Sequence, residues 1–133
     1  MKNALVLLLT AYFLKFGTIV LAEEATRENI LGAWEGPLVI GRDNMKLAFT
    51  FTLQGEEVAA VLTSSGLGIY GMPADTVIVD DRRITIRIPR LDLEFTGVAR
   101  MTTSGAVLRI DGDWFQYSEM LPVVLRPVEN PSF

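Results

Sequence analysis

From Gly32 onward, apolar and polar residues alternate with a period of two, the spacing of strands rather than helices. The clearest stretch is residues 46–53, where Leu47, Phe49, Phe51 and Leu53 share one face and Lys46, Ala48, Thr50 and Thr52 the other. Gln54-Gly55-Glu56 turns the chain into a second strand over 58–63. Residues 64–75 hold Gly66, Gly68, Gly71 and Pro73 and read as a loop or irregular crossing. Val77-Ile78-Val79 is a short buried run stopped by Asp80-Asp81. A hairpin is predicted next, with strands over 83–88 and 91–97 about a turn centred on Pro89-Arg90. That register sets Ile88 against Leu91, Ile86 against Leu93 and Ile84 against Phe95, with Arg87 opposite Asp92 on the other face. Proline excludes the positive φ of the commonest two-residue turns, so a type I turn in a slightly wider loop is expected. After a turn at Thr103-Ser104-Gly105, strands over 106–110, 114–117 and 121–125 complete the series. Before the alternation begins, residues 23–31 suit one short helix, with Gly32 free to take positive φ at its end. About eight or nine short antiparallel strands must hide their edges, which predicts an all-β domain built as a single up-and-down antiparallel β-barrel, with a two-sheet sandwich as the alternative.

The first 22 residues break this pattern. Met1-Lys2-Asn3 is a short basic start, residues 4–14 are apolar, and Val20-Leu21-Ala22 offers the small residues a signal peptidase reads, so residues 1–22 are expected to be a cleavable signal peptide. Lys15 argues against a retained membrane anchor, because a lysine within a span costs about 2.5–3.5 kcal/mol. The domain is then residues 23–133, and its expected location is periplasmic or secreted, with no membrane attachment after cleavage. Losing Lys2 and Lys15 from 12 basic residues leaves 10 against 16 acidic ones, net −6. An acidic protein without a basic stripe is a poor nucleic-acid binder. The chain has no cysteine, so no disulfide stabilises it and no lipidated cysteine follows the signal.

Gly32-Ala33-Trp34, after the short helix and opening the first strand, resembles the Gly-X-Trp signature of lipocalin-like (calycin-like) barrels. A longer pattern runs through Gly36, Leu38, Leu47, Phe49, Gly71-Met72-Pro73 and Val77. It continues with Pro89-x-Leu91, Phe95-x-Gly97, Gly112-x-Trp114-x-Gln116, Leu121-Pro122 and Leu125-Arg126. In this order the residues resemble the small β-barrel accessory domain that precedes serine hydrolase domains, of α/β-hydrolase or penicillin-binding type, in exported bacterial proteins. The resemblance implies a non-enzymatic binding or accessory module of the cell envelope. The chain departs from that pattern at Ser64-Ser65-Gly66-Leu67-Gly68 and at Tyr117-Ser118.

The residue inventory points the same way. Without histidine or cysteine there is no Ser-His-Asp triad, imidazole base or thiol nucleophile within the chain. Lys46 lies in no Ser-x-x-Lys motif. Asp111 and Asp113 would share one strand face and, with further oxygens, could chelate a hard cation, but Asp-Gly-Asp reads first as turn punctuation. No enzyme activity, catalytic residue, cofactor or metal site is therefore expected. The candidate binding residues are aromatic or loop-borne: Trp34, Phe49, Phe51, Phe95 and Trp114 on the inward face, and Tyr70, Met72 and Tyr117 in loops. Two partner classes follow. One is a protein of the envelope docked through loops at one barrel end. The alternative is a small apolar ligand carried in the barrel, against which stands an inward face filled by Leu47, Leu53, Ile84, Ile86, Ile88, Leu91, Leu93, Leu108, Ile110, Leu121, Val123 and Leu125.

Overall fold

The computed structural model describes residues 23–133; the predicted signal peptide, residues 1–22, lies outside the described residues. Residues 23–29 form a short helix, α1, and Gly32 follows at φ 111. Nine strands come next: β1 (Gly32–Ile40), β2 (Asp43–Gln54), β3 (Glu57–Ser64), β4 (Ile69–Pro73), β5 (Thr76–Asp80), β6 (Arg83–Ile88), β7 (Leu93–Met101), β8 (Val107–Gln116) and β9 (Glu119–Val128). They make one curled antiparallel sheet in the order β4-β3-β2-β1-β9-β8-β7-β6-β5. The predicted all-β, barrel-like fold is thus the observed one.

Two hand-overs shape the curl of this sheet. At the first, β9 changes partner. Its first part pairs with β8 from Gln116↔Glu119 to Ile110↔Leu125, and its last residues pair with β1 as Ala33↔Val128, Trp34↔Pro127 and Glu35↔Arg126. A two-residue turn fixes which residues of β9 aim their amides at β8, so Pro122 aims its missing N–H toward β1, before that ladder starts. Pro127 aims its own toward β8, after that ladder has ended. Each proline therefore sits where a donor would have no strand to meet. Gly36 continues the crossing, since any Cβ there would collide with the Val124 carbonyl.

At the second hand-over, β4 and β5 split one position in the wall. β4 pairs with β3, β5 pairs with β6, and only Ala74-Asp75 links them. The Ala74 amide donates to the Ala60 carbonyl at 2.8 Å and the Asp75 amide to the Arg87 carbonyl at 3.0 Å, so this linker touches both neighbouring strands. The two end strands of the half-barrel, β4 and β5, thus follow one another through a linker bonded to β3 and β6.

The interior follows the alternation. Leu47, Phe49 and Phe51 of β2, Ile84, Ile86 and Ile88 of β6, and Leu93 and Phe95 of β7 are all buried. Four expectations are corrected. First, the β6–β7 hairpin forms two residues out of the predicted register, pairing Ile88↔Leu93, Ile86↔Phe95 and Ile84↔Gly97, with Arg87 opposite Glu94 at 3.6 Å. A slip by two keeps every side chain on its face, so alternation alone does not choose between the registers. The loop chooses: Pro89–Leu91 forms a 3-10 turn and Asp92 takes φ 51, giving the wider loop that proline demands.

Second, Asp111-Gly112-Asp113 is not a turn, because β8 runs straight through it. Gly112 stands directly opposite Gly97; a Cβ on Gly112 would overlap the Phe95 ring, and one on Gly97 would overlap Ile110 and crowd that ring. The paired glycines make room for that ring within the wall. Third, Leu108 is exposed, because the β7–β8 register shifts beside Met101 and turns it outward. Leu53, one pair from the Gly55-Glu56 turn, is also exposed at the rim. Fourth, residues 64–75 contain a 3-10 turn, Ser65–Leu67, and the edge strand β4 rather than only a loop.

The glycine pair yields a stability test. Gly112→Ala is expected to destabilise the domain by about 1–3 kcal/mol through overpacking against Phe95. The double variant Gly112→Ala/Phe95→Leu should lose less than the sum of the two single changes in urea denaturation, because the smaller side chain vacates the disputed space.

Candidate functional site

Five of the eight candidate side chains build the interior. Trp34, Phe49, Phe51, Phe95 and Trp114 are each at most 3 % exposed. The Phe49 ring lies 5.3 Å from Phe95 and 6.4 Å from Phe51, both tilted, as quadrupolar rings prefer. Both polar handles are satisfied. The Trp34 indole donates to the Ile30 carbonyl at 2.6 Å, tying α1 to β1, and the Trp114 indole donates to Gln116 Oε1 at 3.2 Å.

Both ends of the wall are covered. At one end α1 buries Thr26 and Ile30, and Asn29 donates to the Gly105 carbonyl at 2.8 Å. At the other end, half-buried Leu67 and Leu91 pack against the core, and Gln116 Nε2 fixes Leu91 by donating to its carbonyl at 2.8 Å. The Ser65–Leu67 turn is held down in turn, because the buried Ser64 hydroxyl donates to the Lys46 carbonyl at 2.7 Å. Aromatic rings, facing glycines and two covered ends describe a centre occupied by the protein's own side chains.

Of the three candidates expected in loops, only Tyr117 lies in one; Tyr70 and Met72 are on β4. Tyr70 and Tyr117 are exposed, while Met72 packs partly against the core. Strand direction puts both tyrosines at the end away from α1, Tyr70 just after the β3–β4 connection and Tyr117 in the β8–β9 turn. On the curled wall the β1–β2 turn separates them on one side and the β6–β7 turn on the other, so they do not form one patch. Tyr117 instead neighbours Phe115 and Met120, a directly paired and exposed couple on the outer face of β8 and β9.

Two carboxylates are held by hydrogen bonds. Asp111 accepts from Arg109 Nε at 2.8 Å and from Arg100 Nε at 2.9 Å, and these two hydrogen bonds, Arg109's first, hold its carboxyl below the usual aspartate range. Glu35 is lowered by the hydroxyl and then the amide of Ser132, at 2.6 and 3.0 Å, which pins the C-terminal residues onto β1. Among the described residues no group of three or more histidine, cysteine or acidic side chains is placed to hold a metal ion. No helix among them is long and apolar enough to cross a membrane.

The sequence reading missed a surface cleft of about 470 Å³ between β3 and β5. Gln54, Glu57, Val58 and Ala59 line one side, β5 the other, and Arg27 reaches it from α1. The signal available in the sequence was Pro73 at the end of the irregular crossing over 64–75, which marks where β4 stops. Protein-family models, curated proteins and solved structures were compared with the chain, and none matches it.

Two measurements follow. Tyr117 and Ser118 both adopt positive φ, 51 and 63, in a two-residue turn that favours Asn-Gly. Replacing them with Asn-Gly should stabilise the domain by about 1 kcal/mol, read as a higher urea midpoint. For Asp111 the folded pKa is depressed, so the stabilisation from its arginines is complete above the unfolded value of about 3.9 and disappears as pH falls through the folded value. Asp111→Asn should therefore be less stable than the parent at pH 7, and the gap should close toward pH 2.

Proposed function

We propose that this protein is an exported, non-enzymatic binding module of the bacterial cell envelope that engages a protein partner with its outer surface. The observation that carries this reading is the occupied interior. Phe95 fills the space over Gly97 and Gly112, and α1 with Leu67 and Leu91 covers the two ends. A wall of this size has space for its own side chains or for one small ligand, and here the side chains take it. The absence of histidine and cysteine from the sequence removes the imidazole base and the thiol nucleophile, which favours binding over turnover. Export rests on the leader-like residues 1–22, and accessory character on the barrel-domain resemblance of residues 32–126.

Native mass spectrometry of the protein purified from its own host tests the reading. The expected species begins at Glu23 and carries no small molecule. A co-purifying apolar ligand in stoichiometric amount would replace this reading with the carrier, and an uncleaved leader would remove export.

A further inference from the structure

The outer face of β7, β8 and β9 carries an apolar couple, Phe115 and Met120, directly paired across the β8–β9 ladder. Strand alternation puts them there. Trp114 and Leu121, one residue away on each strand, turn inward to the core, so Phe115 and Met120 turn out. Phe115 remains 43 % and Met120 63 % exposed, apolar surface left in water. β8 has β7 on one side and β9 on the other, so its backbone is already paired and this face is met through side chains.

Phe115 stands in the wall of two shallow hollows. One, of about 300 Å³, is lined by Glu94, Thr96, Asp113, Phe115 and Met120. The other, of about 240 Å³, lies beside Arg87, Pro89, Asp92, Glu94 and Phe115.

Charge selects what can fill them. Asp113 is exposed, and its cross-strand neighbours on the two sides, Thr96 and Pro122, carry no charge. Neither Asp113 nor Asp92 forms an ion pair among the described residues, while Glu94 shares Arg87 at 3.6 Å. Arg100 and Arg109, on the same face toward the α1 end, are taken by Asp111. The hollows thus hold the carboxylates of Asp92, Glu94 and Asp113 against the single guanidinium of Arg87. Beside an exposed aromatic ring, such carboxylates favour a guest ammonium or guanidinium, which gains from the ion pair and from the ring face together. A second copy docked here about a two-fold axis would set acidic hollow against acidic hollow, and an anionic lipid surface would meet the same repulsion. The net charge of −4 on the whole chain steers in the same direction.

We propose that this face is the docking site for a cationic, apolar-flanked segment of a partner protein. A lysine or arginine of the partner enters the hollow between Phe115 and Asp113, and an adjacent apolar side chain covers Met120. This assignment rests on the reading of the protein as a surface-acting binding module and names the face that module uses.

The test uses the full mature chain and three pools of fluorescent decapeptides. The first alternates Lys or Arg with Leu or Phe, the second replaces its basic residues with Glu, and the third replaces its apolar residues with Ser. Anisotropy titrations should give the first pool a Kd at least about tenfold below those of the other two, rising with salt. Asp113→Asn and Phe115→Ser should each weaken the first pool at least about fivefold. Leu108→Ser, an exposed apolar change toward the α1 end of β8, should leave it unchanged, with circular dichroism confirming the β-fold of each variant. Absent binding, or binding that either Asp113→Asn or Phe115→Ser leaves intact, overturns the site. Equal binding of the Ser-containing pool marks unselective attraction to an acidic protein and overturns it too. Assembly that grows with protein concentration and is lost in Phe115→Ser assigns the face to a second copy and overturns it equally. If the peptides fail while a pull-down from periplasmic extract still recovers a partner that Phe115→Ser does not disturb, the site falls and the binding-module reading stands. If the extract yields no partner at all, that reading falls as well.

Discussion

The three residue pairs between β1 and β9 hold the two arms of this sheet together. One arm is the meander β1–β4 and the other β5–β9; each could bury only one side of its apolar face alone. Joined at Ala33–Glu35 and Arg126–Val128, they curl until Phe49 of one arm stacks on Phe95 of the other. The core aromatics, the covered ends and the seam at Ala74-Asp75 all follow from that closure. The closure itself depends on small or donor-poor residues at the crossing: Gly36, which lets the backbones approach, and Pro122 and Pro127, which leave no amide unpaired where β9 changes neighbours.

Closure also explains why the molecule's chemistry faces outward. Inside the wall, the Phe95 ring takes the space left by the facing Gly97 and Gly112. The ion pairs of Asp111 with Arg100 and Arg109 lie on the outer face and shape the surface rather than a cavity. Phe115, Tyr117 and Met120 are likewise exposed on the outside.

Much of this was legible in the residues, and the exceptions have common causes. Strict alternation over Leu47, Phe49 and Phe51 gave away both the strand and its buried face, because a half-exposed sheet admits no other pattern. The same logic was blind to a two-residue slip in the β6–β7 hairpin, which preserves all faces and is decided by Pro89 and Asp92 in the loop. Asp111-Gly112-Asp113 misled because glycine between aspartates satisfies turn chemistry, whereas here the glycine answers to a phenylalanine distant in sequence. Leu108 was displaced by a shift in pairing that no local pattern encodes. Of the eight candidate residues, those read as inward are inside and Tyr70 and Tyr117 are outside, but the cleft depends on which edges remain unpaired and so emerges only from the topology.

The pairing of the first strand with the last sets an order of events. Residues at opposite ends of the described chain must find each other before either arm is sealed, and such distant partners assemble slowly because the loop entropy comes first. Until β9 is available, β1 can zip only to β2, and the greasy faces of both arms stay open. A nascent or threading polypeptide of this kind stays unshut until its C-terminal strand arrives, so a truncation within β9 would be felt throughout the molecule rather than at its tail.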